Sequence, residues 1–279
     1  MKPMRVYLDT QQWNYLVEPT VEAPGVDRAL LQRGIHRQQI AVVGSLDLLQ
    51  ELMSASFASP DKYSAMADLF FGLVRGRLLH PLSRRHRAEA NHGGLLPERR
   101  RYLRRPEREN LYEASQSMVN VLDMADEIKA EKDTFKLSED QLRAQAKEAI
   151  ESAGERVSGP TLRAWFERLD VADWIDSTIE EGVRRGEYTL DANTPTTAQR
   201  WPSAWAFTSI RLARLTYTLG EGRKIKASDL ADAHHVAAGP YFDVLVTDDK
   251  ELLLTLELLP SPSFQWMTSA QFVTYLMGR

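Results

Sequence analysis

Carboxylates stand where two short apolar runs end and where an apolar helix begins. Arg5-Val-Tyr-Leu-Asp9 closes on one acid, Asp243-Val-Leu-Val-Thr247-Asp248-Asp249 closes on two, and Asp229-Leu-Ala-Asp232-Ala-His-His-Val-Ala-Ala opens on acids. In open α/β sheets ligands bind outside the carboxyl ends of the strands, so acids placed there converge although they come from opposite ends of a chain. Carboxylates at close range repel one another and gain proton affinity unless a cation neutralises them. Hard oxygen donors suit magnesium or manganese, and an ion so held activates water and stabilises charge on a phosphate. Metal-dependent hydrolysis of a phosphodiester is the chemistry expected of this pattern.

The elements that must position these acids are short and apolar at both ends of the chain. Residues 5–9 and Ile40-Ala-Val-Val43 read as strands covered on both faces. Ser45 is placed to cap a helix over Leu46 to Ala55, a second helix runs from Pro60 to about Gly76, and Leu78-Leu79 begins a third strand before Pro81. From Ser228, read as a cap, α/β character returns: a helix containing Asp232, a strand over 243–247, a short helix over 249–256, a strand over 264–267, and a terminal helix capped by Thr268 or Ser269. Between these parts lie long helical patterns, Glu107–Lys132, Ser138–Ser152, Gly159–Arg185 and Thr197–Leu219, separated by Ser, Gly, Pro, Asn and Thr clusters. Trp165, Phe166, Trp174, Trp201, Trp205 and Phe207 most simply pack that block. Residues 1–83 and 221–279 therefore form one α/β core, and 84–220 a helical insertion or subdomain.

Over residues 5–56 and 226–277 the chain resembles the PIN-like nuclease family. The resemblance implies a three-layer α/β sandwich with a mostly parallel central sheet. Its strand-end acid is matched by Asp9, its first-helix carboxylate by Glu51 after Ser45, its later helix acid by Asp232, and its Thr-Asp strand end by Thr247-Asp248-Asp249. It implies that Asp9, Glu51, Asp232 and Asp249 are catalytic, that Asp9, Asp232, Asp249 and Asp248 hold Mg2+ or Mn2+, and that RNA is cleaved to leave a 5'-phosphate and a 3'-hydroxyl. A toxin or defence nuclease with an antitoxin, another regulatory protein or a second copy as partner belongs to the same picture. The two histidines after Asp232, the doubled Asp248-Asp249 and the long middle depart from the family pattern.

Each acid also has a structural rival role. Asp9 could cap a helix starting near Gln11, Asp229 could cap the helix that holds Asp232, and Asp47 lies one turn before Glu51 on the same helix. Family spacing favours Asp249 for the last acid, whereas the strand end lies nearer Asp248. Asp243, at the opposite end of its strand, is structural. His235, three residues after Asp232, shares its helix face and either orients an acid, touches phosphate or is a packed, hydrogen-bonded histidine. Asp47, Asp229 and His235 are thus candidates for a supporting layer around the acids.

Net charge is −4, which argues against indiscriminate coating of nucleic acid. Arginines nonetheless cluster from Arg75 to Arg108, and Arg100, Arg101, Arg104 and Arg105 with Tyr102 form a candidate RNA-facing patch, the arginines for phosphates and the tyrosine for a base. The competing reading is an ordinary solvated surface paired with Glu89, Glu98, Glu107 and Glu109. The chain has no cysteine, which excludes disulfides and thiol nucleophiles and fits a reducing cytoplasm. No apolar stretch reaches the length of a membrane span. Two alternatives to an RNA endonuclease stay open: an inactive PIN-like module that binds RNA or protein, and a DNA nuclease.

Overall fold

The computed structural model describes residues 2–18, 26–56, 60–116, 118–152, 154, 201–220, 223–226, 228–259 and 262–278. Five parallel strands, β1 (Met4–Leu8), β2 (Ile40–Ser45), β3 (Leu78–Leu79), β4 (Val244–Val246) and β5 (Gln265–Met267), lie in the order β3-β2-β1-β4-β5. Val6 pairs with Val42 on one side and Val244 on the other. The order reverses at β1, because the chain first builds outward through β2 and β3 and then returns to the other edge of β1 with β4. That reversal opens a crevice beyond the carboxyl ends of β1 and β4. Asp9 follows the end of β1 directly, and Asp248 follows Thr247 beyond the end of β4.

The strands are apolar on both faces because helices cover both. Tyr7 and Ser45 point to one face, where the Tyr7 ring meets Phe242 and His235. Gly44 points to the other, and a Cβ there would lie 2.6 Å from Phe70 Cζ, so only glycine lets α4 (Pro60–Val74) approach this closely. The early crossovers carry α1 (Thr10–Val17), α2 (Arg28–His36) and α3 (Leu46–Ser56). Then come α5 (Leu82–His92), α6 (Glu98–Arg101), α7 (Arg105–Ser115), α8 (Met118–Ser152) and α9 (Pro202–Gly220). The closing half has α10 (Asp229–Ala237), a 3-10 turn over Gly239–Tyr241, α11 (Lys250–Leu256) and α12 (Ser269–Met277).

The predicted helices over 107–132 and 138–152 are parts of α7 and the single long α8. The Asp133-Thr134 and Ser138 cluster does not break α8, because Thr134 Oγ1 returns its hydrogen bond to the Ala130 carbonyl at 2.8 Å and leaves the backbone ladder intact. Ser228 precedes α10 without a side-chain capping bond. Thr268 caps α12 through a capping box with Gln271. The predicted helix over 159–185, with Trp165, Phe166 and Trp174, lies outside the described residues.

The described helices between 84 and 220 do not stand apart from the sheet. Leu96, Leu103, Ala206 and Ile210 share one apolar core with the strands. Glu89 of α5, fully buried, accepts from Ser203 Oγ at 2.6 Å, Ser203 N at 3.0 Å and Tyr241 Oη at 2.6 Å, and so pins α9 and the 3-10 turn to α5. Arg85 is equally buried and reaches Asp47 of α3 at 3.1 Å. Among the described residues no helix is long and apolar enough to cross a membrane.

Candidate active site

Asp9 follows the last residue of β1, its N–H donated to the Val246 carbonyl at 3.1 Å, so the ladder between β1 and β4 fixes its position. Its Oδ1 accepts the Gln12 N–H at 2.9 Å and caps α1, and the Thr247 hydroxyl also bonds to it. The capping role foreseen for Asp9 is therefore real and coexists with its place at the crevice. Only 4% of the residue is exposed. Burial pushes its carboxyl up to about 6, helped by the Asp248 charge and opposed by Thr247, Gln12 and His235.

Glu51 projects from α3 toward the same place. Its Oε2 accepts from Thr10 Oγ1 at 2.8 Å and lies 3.4 Å from His235 Nε2. Burial raises its proton affinity, but the hydrogen bond and charge of His235, with Thr10, hold the carboxyl below its ordinary value. Asp47, one turn earlier, is turned elsewhere: its oxygens receive Arg85 at 3.1 Å and the Leu82 N–H at 3.3 Å. Between the two rivals on this helix, Glu51 faces the crevice.

Asp232, on the first turn of α10, forms a short ion pair with Arg214 of α9. Burial pushes it up to about 7 even so, because Arg214 and His235 only partly offset the lost solvation and the charges of Asp249 and Asp229 add to it. Asp229 shares Arg214 with Asp232, at 3.9 Å, but its hydrogen bonds are with Arg223 at 3.1 Å and the Lys226 N–H at 3.0 Å. It anchors the entry to α10.

His235 sits at the centre of this arrangement and is only 2% exposed. Its Nδ1 is 3.3 Å from Tyr7 Oη, which is 2.9 Å from Ser45 Oγ; its Nε2 is 3.3 Å from Thr10 Oγ1. Burial works against the charged imidazole, yet the Glu51 bond and the charges of Glu51, Asp232 and Asp9 raise its pKa above the ordinary value. Three carboxylates carried by three different segments therefore bear on one ring.

The acids after β4 divide their work. Asp248 accepts from Gln12 Nε2 at 2.8 Å and from the Ser269 N–H at 2.9 Å, which ties α1 and α12 to the end of β4. Asp249 is exposed and caps α11 through the N–H groups of Glu251 at 2.8 Å and Leu252 at 2.9 Å. Asp248 acts electrostatically on Asp9 and Asp249 on Asp232, so both lie at the rim of the cluster. Asp243, at the far end of β4, pairs with Arg5 at 2.6 Å in the structural role expected of it.

Among the described residues no group of three or more histidine, aspartate and glutamate side chains is disposed to hold a metal ion. The reason is visible in the bonds: Asp232 is turned to Arg214, Glu51 to Thr10 and His235, and Asp249 to its own helix. Arg214 supplies a positive charge inside the cluster, and the surrounding carboxylates favour the protonated form of His235. Carboxylate oxygens such as those of Asp9 and Asp232, both buried and of raised proton affinity, are the donor type that a hard cation takes.

The arginine stretch splits in two. Arg101 and Tyr102 pack inward, the Arg101 guanidinium lying 5.9 Å from the Tyr102 ring centroid and 5.5 Å from that of Tyr241, while the backbone of Tyr102 bridges to Leu79. Arg100, Arg104 and Arg105 are exposed, with Arg105 paired to Glu109 at 2.7 Å.

Three site residues escaped sequence reasoning: Thr10, Gln12 and Arg214. Thr10 and Gln12 lie in the first turn of the helix after the strand acid, and Arg214 follows Ile210 by four positions on a buried helix face, where an unpaired cation is unfavourable. Such an arginine signals a buried acid without naming it. Comparison with protein-family models, with curated proteins and with solved structures yields no match for this chain.

Proposed function

We propose that the chain is a PIN-like phosphodiesterase that hydrolyses RNA with a divalent metal ion, magnesium or manganese, at the crevice between β1 and β4. The observation that carries this reading is the convergence of Asp9, Glu51 and Asp232 on His235 at the point where strand order reverses. Structural ion pairs also perturb proton affinities, but here the perturbed acids gather at the position where an open parallel sheet binds its ligands.

Asp9 and Asp232 are the residues that would hold the ion, with Asp248 and Asp249 at its margin. When bound, a divalent ion supplies a water nucleophile at neutral pH and neutralises charge on the phosphate. The chain's own groups do the rest. Thr247 and Gln12 orient Asp9, while Arg214 holds Asp232 on the crevice side of α10. His235 Nε2, 3.4 Å from Glu51, lowers the proton affinity of that carboxyl together with Thr10 and so favours the ionised form that can accept a proton. Exposed Arg100, Arg104 and Arg105 supply attraction for phosphates beyond the crevice.

A panel of end-labelled RNA and DNA strands, incubated with the protein over a magnesium and a manganese titration, tests the reading. RNA products with 5'-phosphate and 3'-hydroxyl ends, formed only with metal, are expected. Cleavage of DNA alone moves the assignment to a DNA nuclease, and binding without cleavage under every metal condition moves it to a binding module.

A further inference from the structure

Beside the acids lies a second feature that the hydrolytic reading leaves unused. An open groove of about 710 Å³ runs between α3, α5, α8, α9 and α10, and Gln50, His86, Phe135, Phe207, Arg211 and His234 are among the residues that line it. It adjoins a small cavity against Glu51 that is also lined by Gln50 and His234, so the groove lies next to one acid of the proposed centre.

Four of its side chains form a stacked column. The rings of His234 and Phe207 lie nearly parallel, 26° apart, with centroids 5.8 Å from each other. The Arg211 guanidinium lies 5.6 Å from the Phe207 ring and 5.6 Å from the Phe135 ring, and Glu139 holds it there through a 2.6 Å hydrogen bond to Nε. A held guanidinium flanked by aromatic rings is a preorganised surface for a planar, polarisable partner. Phe207 and Phe135 are both half-buried, so each keeps part of its surface at the groove.

His86 and Gln50 are polar members of the groove lining. His86 bonds to the backbone of Ser203, whose N–H is already given to Glu89, so the imidazole must donate to the Ser203 carbonyl. Its Nε2 is shielded from solvent and has no partner. Burial and the Arg85 charge push the ring's pKa down to about 3, so it is neutral and Nε2 is a bare acceptor. Gln50, across the groove, can both donate and accept.

We infer that this groove binds an unpaired nucleobase of a single-stranded nucleic acid, stacked on the Phe207–Arg211–Phe135 column. The inference rests on the proposed hydrolytic site for the identity of the ligand, since the groove lies next to Glu51. A duplex keeps its bases stacked on one another and has no face to offer the column.

Anisotropy measurements in chelator, where no cleavage occurs, test this with labelled single-stranded and duplex oligonucleotides of the same sequence, in RNA and DNA forms. Single strands are expected to bind more tightly than duplexes. Phe135→Ala, on the solvent-facing helix α8, should weaken single-strand binding by roughly 5- to 150-fold, the range for one lost base–aromatic stack, and leave duplex binding unchanged. Phe207→Tyr should keep the parent affinity and Phe207→Ala should lose it. Equal affinity of Phe135→Ala and the parent for single strands overturns the inference, as does duplex binding as tight as single-strand binding by the parent. Metal-dependent cleavage retained by a parent whose binding is indifferent to both phenylalanines would remove the groove and keep the hydrolytic site; single-strand binding that depends on them, without cleavage under any metal condition, would do the reverse.

Discussion

Replacing Asp9 by asparagine separates the electrostatic load of the site from its hydrogen bonds. Asparagine keeps the oxygen that accepts the Gln12 N–H and so keeps the α1 cap. What disappears is a carboxyl that burial has pushed from 3.8 to about 6. A carboxyl that holds its proton more tightly when folded contributes its full stabilisation below about pH 4, and that contribution is lost as pH rises through about 6. At ~1.4 kcal/mol per pH unit, the interval from 3.8 to about 6 is worth about 3 kcal/mol. In chelator, the stability of Asp9→Asn minus that of the parent should therefore rise by about 3 kcal/mol between about pH 4 and about pH 7. Urea titrations at a series of pH values, extrapolated to water, give that difference directly. Parallel stability profiles for the two proteins across this range would refute the claim that Asp9 is a buried charge without sufficient compensation.

Further consequences follow from the same contacts. Glu51→Gln removes the largest favourable influence on His235 and should lower its pKa, measurable by NMR titration of the ring; an unchanged value would mean that Glu51 does not hold the proton there. Arg214→Ala leaves Asp232 buried without its partner and should destabilise the fold by about 3–5 kcal/mol at neutral pH, less at acid pH where Asp232 is protonated, as read by denaturant titration; a loss independent of pH would assign Arg214 to packing alone. Replacing the exposed Arg100, Arg104 and Arg105 together should weaken RNA binding and flatten its salt dependence without altering manganese affinity, and an unchanged salt slope would make the stretch an ordinary charged surface.

Where the polar pattern of the sequence is local, it is legible. Asp9 is readable because β1 is short, apolar and ends on it, and Thr268 because its capping partner Gln271 lies three residues on. Glu51 needed the fold to be told from Asp47, since both share a helix and only the tertiary position of Arg85 shows that Asp47 is already engaged. The continuity of α8 was hidden because Thr134 and Ser138 resemble a turn in sequence, while the back-bond of Thr134 to Ala130 makes the threonine compatible with a helix. The Arg214–Asp232 pair joins two helices, and the His235 cluster joins segments from both ends of the chain; such contacts leave no periodic trace in sequence. Asp9, Glu51 and Asp232, the acids matched through the PIN-like resemblance, lie around His235 at the crevice, and the resemblance gave no sign of Arg214 among them.

Single-turnover cleavage of an end-labelled single-stranded RNA, compared between the parent and folded Asp9→Asn at saturating manganese, bears most directly on the proposed chemistry. The parent is expected to yield 5'-phosphorylated fragments, and Asp9→Asn to be slower by orders of magnitude while keeping its stability at neutral pH. Equal rates in the two proteins would contradict the placement of phosphodiester hydrolysis at the crevice between β1 and β4.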